Sequence, residues 1–261
     1  MNVSISAKTA PNPSISSKAC NHEHQTRENN KLPRPVFAVT PFTMLDFPQK
    51  TACIIWFAGC NMRCPYCHNP QIVKSKGRGT VEDIQEFLLK RRGLLDGVVL
   101  SGGEATSYPD LIPFIRSLRD LGYAIKLDTN GTHPRVVSEL IERHLLDYVA
   151  LDYKSPQGKF KTVTGIRNFS PFEETLELLC AQKNLPYEVR TTVHTSLLDE
   201  NDINEILIDL DRRHYTGTYY LQNYIADNDR QTLGHMKSQV RQINKDLLIA
   251  PVNFSIVLRN F

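Results

Sequence analysis

From Thr51 onward, short apolar runs alternate with segments whose apolar residues repeat with a helical period. The short runs have strand length and do not alternate between polar and apolar residues, which is typical of parallel strands covered on both faces. The pattern therefore predicts strand–helix–strand units in a parallel sheet. The predicted strands span residues 51–57, 97–101, 123–128, 147–152, 187–193 and 217–222.

Helices are predicted between these strands from two apolar stripes and one start signal. Residues at i, i+3, i+4 and i+7 share one face of a helix, so each such set forms a stripe. Thr80 and Asp83 have the spacing of a helix start ahead of Val81. Six strand–helix units are too few for a closed eightfold barrel, so the predicted fold class is α/β with a partial (β/α)6 barrel. The stripes are Leu111, Phe114, Ile115 and Leu118, and Ile203, Ile206, Leu207 and Leu210.

Residues 1–35 differ in composition from the rest of the chain. They are rich in Ser, Asn, Lys and Pro and lack periodicity, so they cannot bury enough apolar surface to offset the entropy of ordering. We expect a disordered N-terminal extension over residues 1–35 and one core domain over residues 36–261. We interpret Cys20, His22 and His24 as part of a solvated tail, because a flexible segment supplies no preorganised metal geometry.

Composition and charge describe an ordinary globular protein. The 261 residues are 41% hydrophobic and 23% charged, and the formal net charge is +3. Residues 1–35 carry five Lys or Arg and two acidic residues, which leaves 26 basic and 26 acidic residues in the remainder. A balanced core has no clustered basic face, so we expect no nucleic-acid or membrane partner. The apolar run Cys53–Ala58 is far shorter than a membrane span.

The six cysteines indicate a reducing compartment. A disulfide framework is typical of short secreted chains, whereas this chain shows no secretory signal and has three cysteines in one loop. We therefore expect a cytoplasmic protein. Cys20, Cys53 and Cys180 are isolated from one another, so they predict no second metal cluster.

Cys60, Cys64 and Cys67 have the spacing C-x3-C-x2-C, which is the most specific chemical signal in the chain. A four-iron cubane takes four ligands, and three thiolates on one short loop can bind three of its irons. The fourth iron is then open to a chelating small molecule, as a catalytic metal site keeps an open position. The motif predicts one 4Fe-4S cluster with one open iron.

Four other interpretations compete for these residues. Cys64 and Cys67 alone match a dithiol redox motif, and together with His68 they match a haem attachment motif. Three cysteines and His68 could bind zinc, although zinc sites usually draw their ligands as two separated pairs. The thiols could also be structural residues that share the spacing. The dithiol needs no third cysteine and haem attachment requires export, so both are less favoured.

Polar residues follow the predicted strands at their C-terminal ends, where parallel α/β folds place their chemistry. Ser101–Glu104 reads Ser-Gly-Gly-Glu. Its glycines allow a close backbone approach to a ligand, and Glu104 can accept hydrogen bonds from an ammonium group. Asp128–Gly131, Asp152–Lys154 and Arg190 occupy the corresponding positions on later strands. We expect the active site at these strand ends.

Several of these residues also have structural interpretations. Asp128 or Thr129 could cap a following helix. Arg190, inside a strand, needs an anion, which is either a ligand carboxylate or an internal Asp or Glu. His194 is more often a packed histidine than a catalyst, and Gln222 is the weakest candidate.

Together these motifs resemble the radical S-adenosylmethionine (SAM) superfamily and, within it, the glycyl radical enzyme activating proteins. The resemblance spans roughly residues 38–225 and is greatest to the activating proteins of anaerobic ribonucleoside-triphosphate reductase. It includes C-x3-C-x-aromatic-C with Tyr66 in the aromatic position, Ser-Gly-Gly-Glu, and the segment Thr43–Lys50 ahead of the first strand. It also includes Asp-Thr-Asn-Gly, Leu-Asp-Tyr-Lys and Arg-Thr-Thr-Val-His. The resemblance implies a partial barrel of the radical SAM type.

The resemblance assigns roles to particular residues. Cys60, Cys64 and Cys67 would ligate the cluster, whose open iron is chelated by SAM. The SAM contacts expected from it are Tyr66, Cys67, His68, Gly103, Glu104, Asp128, Thr129, Asp152, Tyr153, Lys154 and Arg190.

A monovalent cation beside SAM is also implied. In the related pyruvate formate-lyase activating enzyme, the residues matching Asp128, Thr129 and Asp152 border such a cation. A methionine in that site is Ala150 here.

The implied activity is hydrogen abstraction from a partner protein. The chain lacks the ferredoxin-like cysteine pairs of larger relatives, so flavodoxin or ferredoxin would reduce the cluster. SAM would then be cleaved to methionine and a 5′-deoxyadenosyl radical, which takes a hydrogen atom from a glycine Cα. The implied partner is anaerobic (class III) ribonucleotide reductase. The alternatives are pyruvate formate-lyase, another glycyl radical enzyme, or a small-molecule substrate.

Overall fold

The computed structural model describes residues 33–226 and 231–261. Its strands are β1 (Val36–Thr43), β2 (Ala52–Phe57), β3 (Gly97–Gly102), β4 (Ala124–Thr129), β5 (Tyr148–Asp152), β6 (Tyr187–Val193), β7 (Thr218–Asn223) and β8 (Ser255–Arg259). They form one sheet whose spatial order follows the chain order, with β1 and β8 at its edges. β1 and β2 are antiparallel, and each later pair of neighbours is parallel.

Helices connect the parallel strands, and two of them begin at capping boxes. The helices are α1 (Pro70–Val73), α2 (Val81–Leu89), α3 (Leu111–Asp120), α4 (Pro134–Glu142), α5 (Gln157–Thr164), α6 (Ser170–Ala181) and α7 (Glu200–Arg212). At α2 the Thr80 hydroxyl accepts from the Asp83 N–H at 3.1 Å, and the Asp83 carboxylate accepts from the Thr80 N–H at 2.8 Å. Asp199 and Asp202 form the same arrangement at α7. Both boxes satisfy backbone donors that a first helical turn leaves free.

The two faces of the sheet differ in polarity. Because side chains alternate along a strand, Ile125 and Leu127 point to one face and Lys126 and Asp128 to the other. Ile125 and Leu127 are fully buried in the core that also contains helix residues such as Leu118. We call this the outer face, since it carries the helices, and the opposite side the inner face. The inner-face carboxylates that border the cavity described below, Asp128 and Asp152, lie at the C-terminal ends of their strands.

Phe47 fills the other end of the inner face. It lies in the connection between β1 and β2, is 2% exposed, and packs with Ala52, Ile54 and Val99. Gly97 makes room for the ring, because a Cβ at that position would lie 2.8 Å from Phe47. Space for a ligand is therefore left at the C-terminal ends of the strands.

The predicted α/β fold class is confirmed. The six predicted strands are β2 to β7, each with bounds within one residue of the prediction, and both apolar stripes are buried in α3 and α7. The edge strands β1 and β8 were missed. β1 contains Pro41, whose lack of an N–H donor weakens a strand signal, and β8 has only five residues.

Almost all of the predicted N-terminal extension lies outside the residues that the structure describes. Residues 1–32, which include Cys20, His22 and His24, are not among the described residues. The described residues from Arg34 onward form one compact unit, and the domain boundary at residue 35 stays a prediction. In the ranges 33–226 and 231–261, no helix is both long and apolar enough to cross a bilayer.

We expect Phe47→Ala to lower the free energy of unfolding by about 3–5 kcal/mol, because the variant loses buried apolar area and leaves a cavity. Equilibrium unfolding in urea, followed by circular dichroism, measures the change. The matched control is Phe42→Ala, whose side chain is 54% exposed and should cost less than about 1 kcal/mol. Equal losses in the two variants would contradict a filling role for Phe47.

Candidate active site

A cavity of about 230 Å³ opens at the C-terminal ends of the strands, bordered by the cysteine loop, residues 59–70. Every residue that the sequence analysis assigned to the cluster or to SAM lines this cavity, except Tyr153. The residues of that set in the cavity wall are Cys60, Cys64, Tyr66, Cys67, His68, Gly103, Glu104, Asp128, Thr129, Asp152, Lys154 and Arg190.

Backbone contacts hold the cysteine loop in place. The Arg63 N–H donates to the Thr164 carbonyl at 2.7 Å, which ties the loop to the end of α5. The Arg63 guanidinium donates to the Cys60 carbonyl at 2.6 Å, and the Cys67 N–H donates to the Cys64 carbonyl at 3.0 Å. Cys64 is buried, whereas Cys60 and Cys67 are half-buried. One short loop thus presents all three thiols to the same cavity.

Burial controls the protonation of these thiols. It raises the pKa of Cys60 to about 11 and also raises the pKa of Cys64. The Met62 N–H offsets part of the rise at Cys60, and the nearby Lys154 ammonium offsets part of the rise at Cys64. Binding of a metal must therefore displace protons from them. In the part of the chain that the structure describes, no three His, Cys, Asp or Glu side chains are arranged to hold a single metal ion. A cubane differs, because its thiolates bind different irons.

The cysteine loop contacts the Ser-Gly-Gly-Glu turn at the end of β3 through backbone. The Gly103 N–H donates to the Phe57 carbonyl and the Glu104 N–H to the Gly59 carbonyl, each at 2.9 Å. A Cβ at Gly103 would lie 1.8 Å from the Gly59 oxygen, so only glycine permits this approach. Gly59 itself has a φ of +83°, in the left-handed region that favours glycine. The contact brings the thiols and Glu104 to one cavity.

Glu104 is a buried carboxylate surrounded by neutral donors. It is 2% exposed and accepts from the Thr106 hydroxyl at 2.5 Å, the Thr129 hydroxyl at 2.8 Å and the Asn130 N–H at 2.7 Å. Within the described ranges no Lys, Arg or His pairs with it. A buried carboxyl group without a cationic neighbour suits a ligand that brings a positive group.

Asparagine side chains join the cysteine loop to the end of β4. The Asn130 amide donates to the Asn61 carbonyl oxygen at 2.9 Å, and the Asn61 amide donates to the Thr132 hydroxyl at 2.7 Å. The Thr132 hydroxyl in turn donates to the Asn130 carbonyl oxygen at 2.6 Å. This closed ring of hydrogen bonds is a second link between the loop and the strand ends.

The Arg190 guanidinium pairs with internal carboxylates, which was one of its two predicted partners. Its Nε lies 2.9 Å from Asp152 Oδ1, and its terminal nitrogen lies 3.6 Å from Asp128 and 3.8 Å from Glu188. Lys154 Nζ lies 3.0 Å from the other Asp152 oxygen. Burial raises the pKa of Asp152, but Arg190 and Lys154 outweigh burial and bring the pKa to about 2. Asp152 is therefore ionised at neutral pH.

Asp128 and Thr129 do not cap a helix. α4 begins at Pro134 with His133 in the N-cap position, so both residues lie before the turn that leads into the helix. Asp128 instead accepts from the Ser101 hydroxyl at 3.2 Å and pairs with Lys126.

Tyr153 is the one predicted SAM contact that does not line the cavity. Strand parity turns its side chain to the outer face, because Asp152 and Lys154 on either side of it face the cavity. Its ring lies 4.6 Å from the Phe172 ring, and its hydroxyl donates to Asp209 at 2.9 Å. The motif contains Tyr153, but the structure does not bring it to the cavity.

His194 and Gln222 lie outside the cavity wall. His194 is 6% exposed, and its Nε2 lies 3.0 Å from the Lys237 carbonyl oxygen, as expected of a packed histidine. Both His194 and His68 contact the Tyr224 ring, with centroid separations of 4.9 and 5.2 Å. His68, unlike His194, does line the cavity.

The cavity also includes residues that the sequence analysis did not select. Ser101, Gly102 and Asn130 lie within the quoted motifs, so motif membership could have identified them. The apolar wall had no sequence signal, because residues such as Trp56 and Met62 look like core positions. The unselected residues are Trp56, Met62, Asn69, Val73, Ser101, Gly102, Asn130 and Thr192.

Tyr66 tests whether the cavity suits a ligand. Its hydroxyl is buried beside the Cys64 thiol and has no nitrogen or oxygen partner for a hydrogen bond among the described residues. A buried hydroxyl without a partner costs free energy, and a bound molecule with a polar group can supply that partner. Three thiols suit an iron–sulfur cluster. The Glu104 carboxyl group, which lacks a cationic partner in the described ranges, and the Tyr66 hydroxyl suit a polar, positively charged ligand beside it.

Sequence comparisons identify relatives of the chain. The profile described as the Radical SAM superfamily matches residues 54–210. A protein of Methanocaldococcus jannaschii, assigned by name as a glycyl-radical enzyme activating enzyme, is 38% identical over 180 residues, which are 66% of this chain and 73% of that protein. The pyruvate formate-lyase 1-activating enzyme of Escherichia coli K12 is 32% identical over 160 residues, which are 57% of this chain and 63% of that enzyme.

Solved structures of low sequence identity share the fold. SuiB of Streptococcus suis gives a TM-score of 0.54 at 13% identity, covering 78% of this chain and 47% of SuiB. Native anSMEcpe with bound AdoMet gives 0.52 at 21% identity, covering 64% of this chain and 49% of that chain. These likenesses concern the fold alone, and with the family profile they confirm the predicted radical SAM type of α/β fold.

We expect Gly103→Ala to destabilise the chain by about 1–3 kcal/mol, because the new methyl group forces the β3 turn away from Gly59. Thermal unfolding of the purified protein measures the loss. Gly158→Ala is the matched control, since a Cβ at that position meets nothing within 4 Å. If both variants unfold at the same temperature as the unsubstituted chain, the close contact between the two turns does not exist.

Proposed function

Because the chain belongs to the radical SAM superfamily and, within it, to the glycyl-radical enzyme activating enzymes, we propose that it creates a glycyl radical on a partner enzyme. The family implies a 4Fe-4S cluster and SAM as its cofactors. The observation that carries the proposal is the shared cavity, in which three thiols and the buried Glu104 meet across the Gly59–Gly103 contact.

Cys60, Cys64 and Cys67 would hold the cluster. Their support is that all three line one cavity from a single loop, and that Arg63 and the link to Thr164 fix the loop backbone. The outer-side thiols Cys53 and Cys180 lie in separate elements. We therefore propose one cluster and an external electron donor of the flavodoxin or ferredoxin class. We assign the reaction to the cytoplasm, since the thiols need reducing conditions.

Charged groups of the cavity wall match the charges of SAM. Glu104 would accept the SAM ammonium group, since it is buried, ionisable and without a cationic partner in the described ranges. Lys154 and Arg190 are the Lys and Arg side chains of the wall, and either can face the SAM carboxylate. Tyr66 and His68 supply aromatic surface beside the thiols. Two charged ends of the ligand would thus fix its orientation.

When bound, the cluster and SAM supply the reductive cleavage whose 5′-deoxyadenosyl radical removes a hydrogen atom from a glycine Cα. The chain's own residues position the ligand and shield it from water. Trp56, Met62 and Val73 give the cavity an apolar wall that excludes water. The Gly59–Gly103 contact holds the cysteine loop beside the proposed ammonium-binding carboxylate, so these two parts of the site are positioned before a ligand binds.

The favoured partner is anaerobic (class III) ribonucleotide reductase. The support is the resemblance of Thr43–Lys50, together with the strand-end motifs, to the activating proteins of that reductase. Pyruvate formate-lyase is the second candidate, because the activating enzyme of that protein in E. coli is 32% identical to this chain.

Activity toward the two candidates separates them. The anaerobically reconstituted chain, with dithionite and SAM, should release 5′-deoxyadenosine and, with the correct partner, produce the EPR doublet of a glycyl radical. A partner whose radical glycine is replaced by alanine is the control. Release of 5′-deoxyadenosine without a doublet on any glycyl radical enzyme would favour a small-molecule substrate.

We expect Cys64→Ala to abolish release of 5′-deoxyadenosine, because two thiolates cannot hold three irons of a cubane. The iron content and the broad visible absorption of the iron–sulfur cluster should fall together with the activity. Cys180→Ala is the matched control, since Cys180 lies outside the cavity and contacts the Tyr187 hydroxyl at 3.4 Å. Equal losses in both variants would refute the ligand assignment.

We expect Glu104→Gln to weaken SAM binding about 10- to 100-fold, because hydrogen bonds to a charged group contribute about 1.5–3 kcal/mol. Equilibrium dialysis with labelled SAM on the reconstituted chain measures the dissociation constant. Glu86→Gln on α2, whose side chain is 70% exposed, is the control. An unchanged dissociation constant with normal iron content would exclude Glu104 as the ammonium partner.

A further inference from the structure

Two carboxylates in the cavity wall already accept hydrogen bonds from side chains of the chain itself. Asp128 and Asp152 end neighbouring strands β4 and β5, and Ala150 lies opposite Asp128 in the register. The sequence resemblance implies a monovalent cation at these carboxylates and Thr129. The Ala150 side chain has no oxygen or sulfur to offer such an ion.

Each of the four carboxylate oxygens has its own partner. Asp128 Oδ1 pairs with Lys126 Nζ, and Asp128 Oδ2 accepts from the Ser101 hydroxyl at 3.2 Å. Asp152 Oδ1 accepts from Arg190 Nε at 2.9 Å, and Asp152 Oδ2 from Lys154 Nζ at 3.0 Å. Each oxygen therefore already has a cationic or hydroxyl donor, and a metal ion would have to compete with these donors for the remaining lone pairs, so the residues present do not form a vacant ion site.

The Thr129 hydroxyl is also engaged. It donates to Glu104 at 2.8 Å and accepts from the Gly131 N–H at 3.1 Å. A hydroxyl that uses its hydrogen and one lone pair in this way is committed to the strand-end network. It offers an ion at most one remaining lone pair.

The charges of this group balance without an added ion. The cations are Lys126, Lys154 and Arg190, and the carboxylates are those of Asp128, Asp152 and Glu188. Because Glu104 is assigned to the SAM ammonium group, a metal cation here would add a positive charge that none of these three carboxylates is free to balance. The Lys126 side chain is 3% exposed and its Nζ lies 5.9 Å from the Tyr148 ring centroid, so its charge is fixed inside the sheet.

We propose that Lys126 and Arg190 take the place of the monovalent cation, so that this chain binds and cleaves SAM without K⁺ or Na⁺. Lys126 is a positioning residue, because it does not line the cavity and acts through Asp128. Arg190 holds Asp152 and reaches Asp128, which joins the two strand ends. The inference rests on the proposed SAM chemistry and specifies how its binding site is neutralised.

Removal of the Lys126 charge should make the site dependent on a cation. In Lys126→Met the nearly isosteric side chain lacks the ammonium group, so Asp128 Oδ1 loses its partner. The nearest remaining cation is the Arg190 guanidinium, 3.6 Å from the other Asp128 oxygen. A small monovalent ion can then occupy the vacated position, whereas tetramethylammonium is too large to enter.

The test compares SAM binding and SAM cleavage by the reconstituted full chain in KCl, NaCl and tetramethylammonium chloride at equal ionic strength. The unsubstituted chain should give the same dissociation constant and rate in all three salts. Lys126→Met should bind SAM about ten-fold more weakly in tetramethylammonium and recover in K⁺ or Na⁺. Lys126→Arg keeps the charge and should need no added ion. Lys90→Met, on the exposed side of α2, is the matched control.

Two results would overturn the inference. One is an unsubstituted chain whose SAM affinity falls in tetramethylammonium, because that chain needs an ion despite Lys126. The other is a Lys126→Met loss of equal size in all three salts, because a merely structural role predicts that. If Lys126→Met does not fold, the salt comparison on the unsubstituted chain and on Lys126→Arg decides. A chain that binds SAM in every salt but does not cleave it counts against the proposed function and leaves the binding comparison valid.

Discussion

The backbone contact between Gly59 and the Gly103–Glu104 turn determines the geometry of the site. The contact requires a residue without Cβ at position 103 and holds the cysteine loop against the end of β3 at hydrogen-bond distance. Without it the loop would carry three thiols with no defined relation to the strand ends. With it, the thiols, Glu104 and the later strand ends border one cavity, which a cluster and its ligand could share.

Buried ion pairs form much of the remaining structure around the cavity. Six charged side chains lie on or beside the inner face, and each carboxylate among them has a cationic partner within the chain. They are Lys126, Asp128, Asp152, Lys154, Glu188 and Arg190. Unpaired charges at such depth would cost several kcal/mol, whereas a balanced group with good hydrogen bonds is tolerated. The apolar side chains around Phe47 fill the opposite end of the inner face, so the polar residues meet solvent and ligand only at the strand ends.

Features with a periodic or local signal could be predicted from the sequence. The strands β2 to β7 have continuous apolar runs, and the cysteine spacing and Ser-Gly-Gly-Glu are local motifs. The outward direction of the Tyr153 side chain could not be predicted from its motif, because a motif names consecutive residues whereas a strand sends alternate side chains to opposite faces. The pairing of Lys126 with Asp128 was overlooked because the neighbours of the two side chains, Ala150 and Arg190, come together only in the folded sheet. The edge strand β1 was missed because Pro41 weakens a strand signal in the sequence, although edge positions tolerate proline.

A single coordination position links the cysteine loop to the proposed chemistry. Mössbauer spectroscopy of the chain reconstituted with iron-57 under strictly anaerobic conditions distinguishes iron sites by their ligands. Three thiolate ligands predict a cubane in which one of the four irons is distinct, and addition of SAM should change the isomer shift of that iron alone. A spectrum without a cubane, or a cubane whose irons do not respond to SAM, would contradict the shared site.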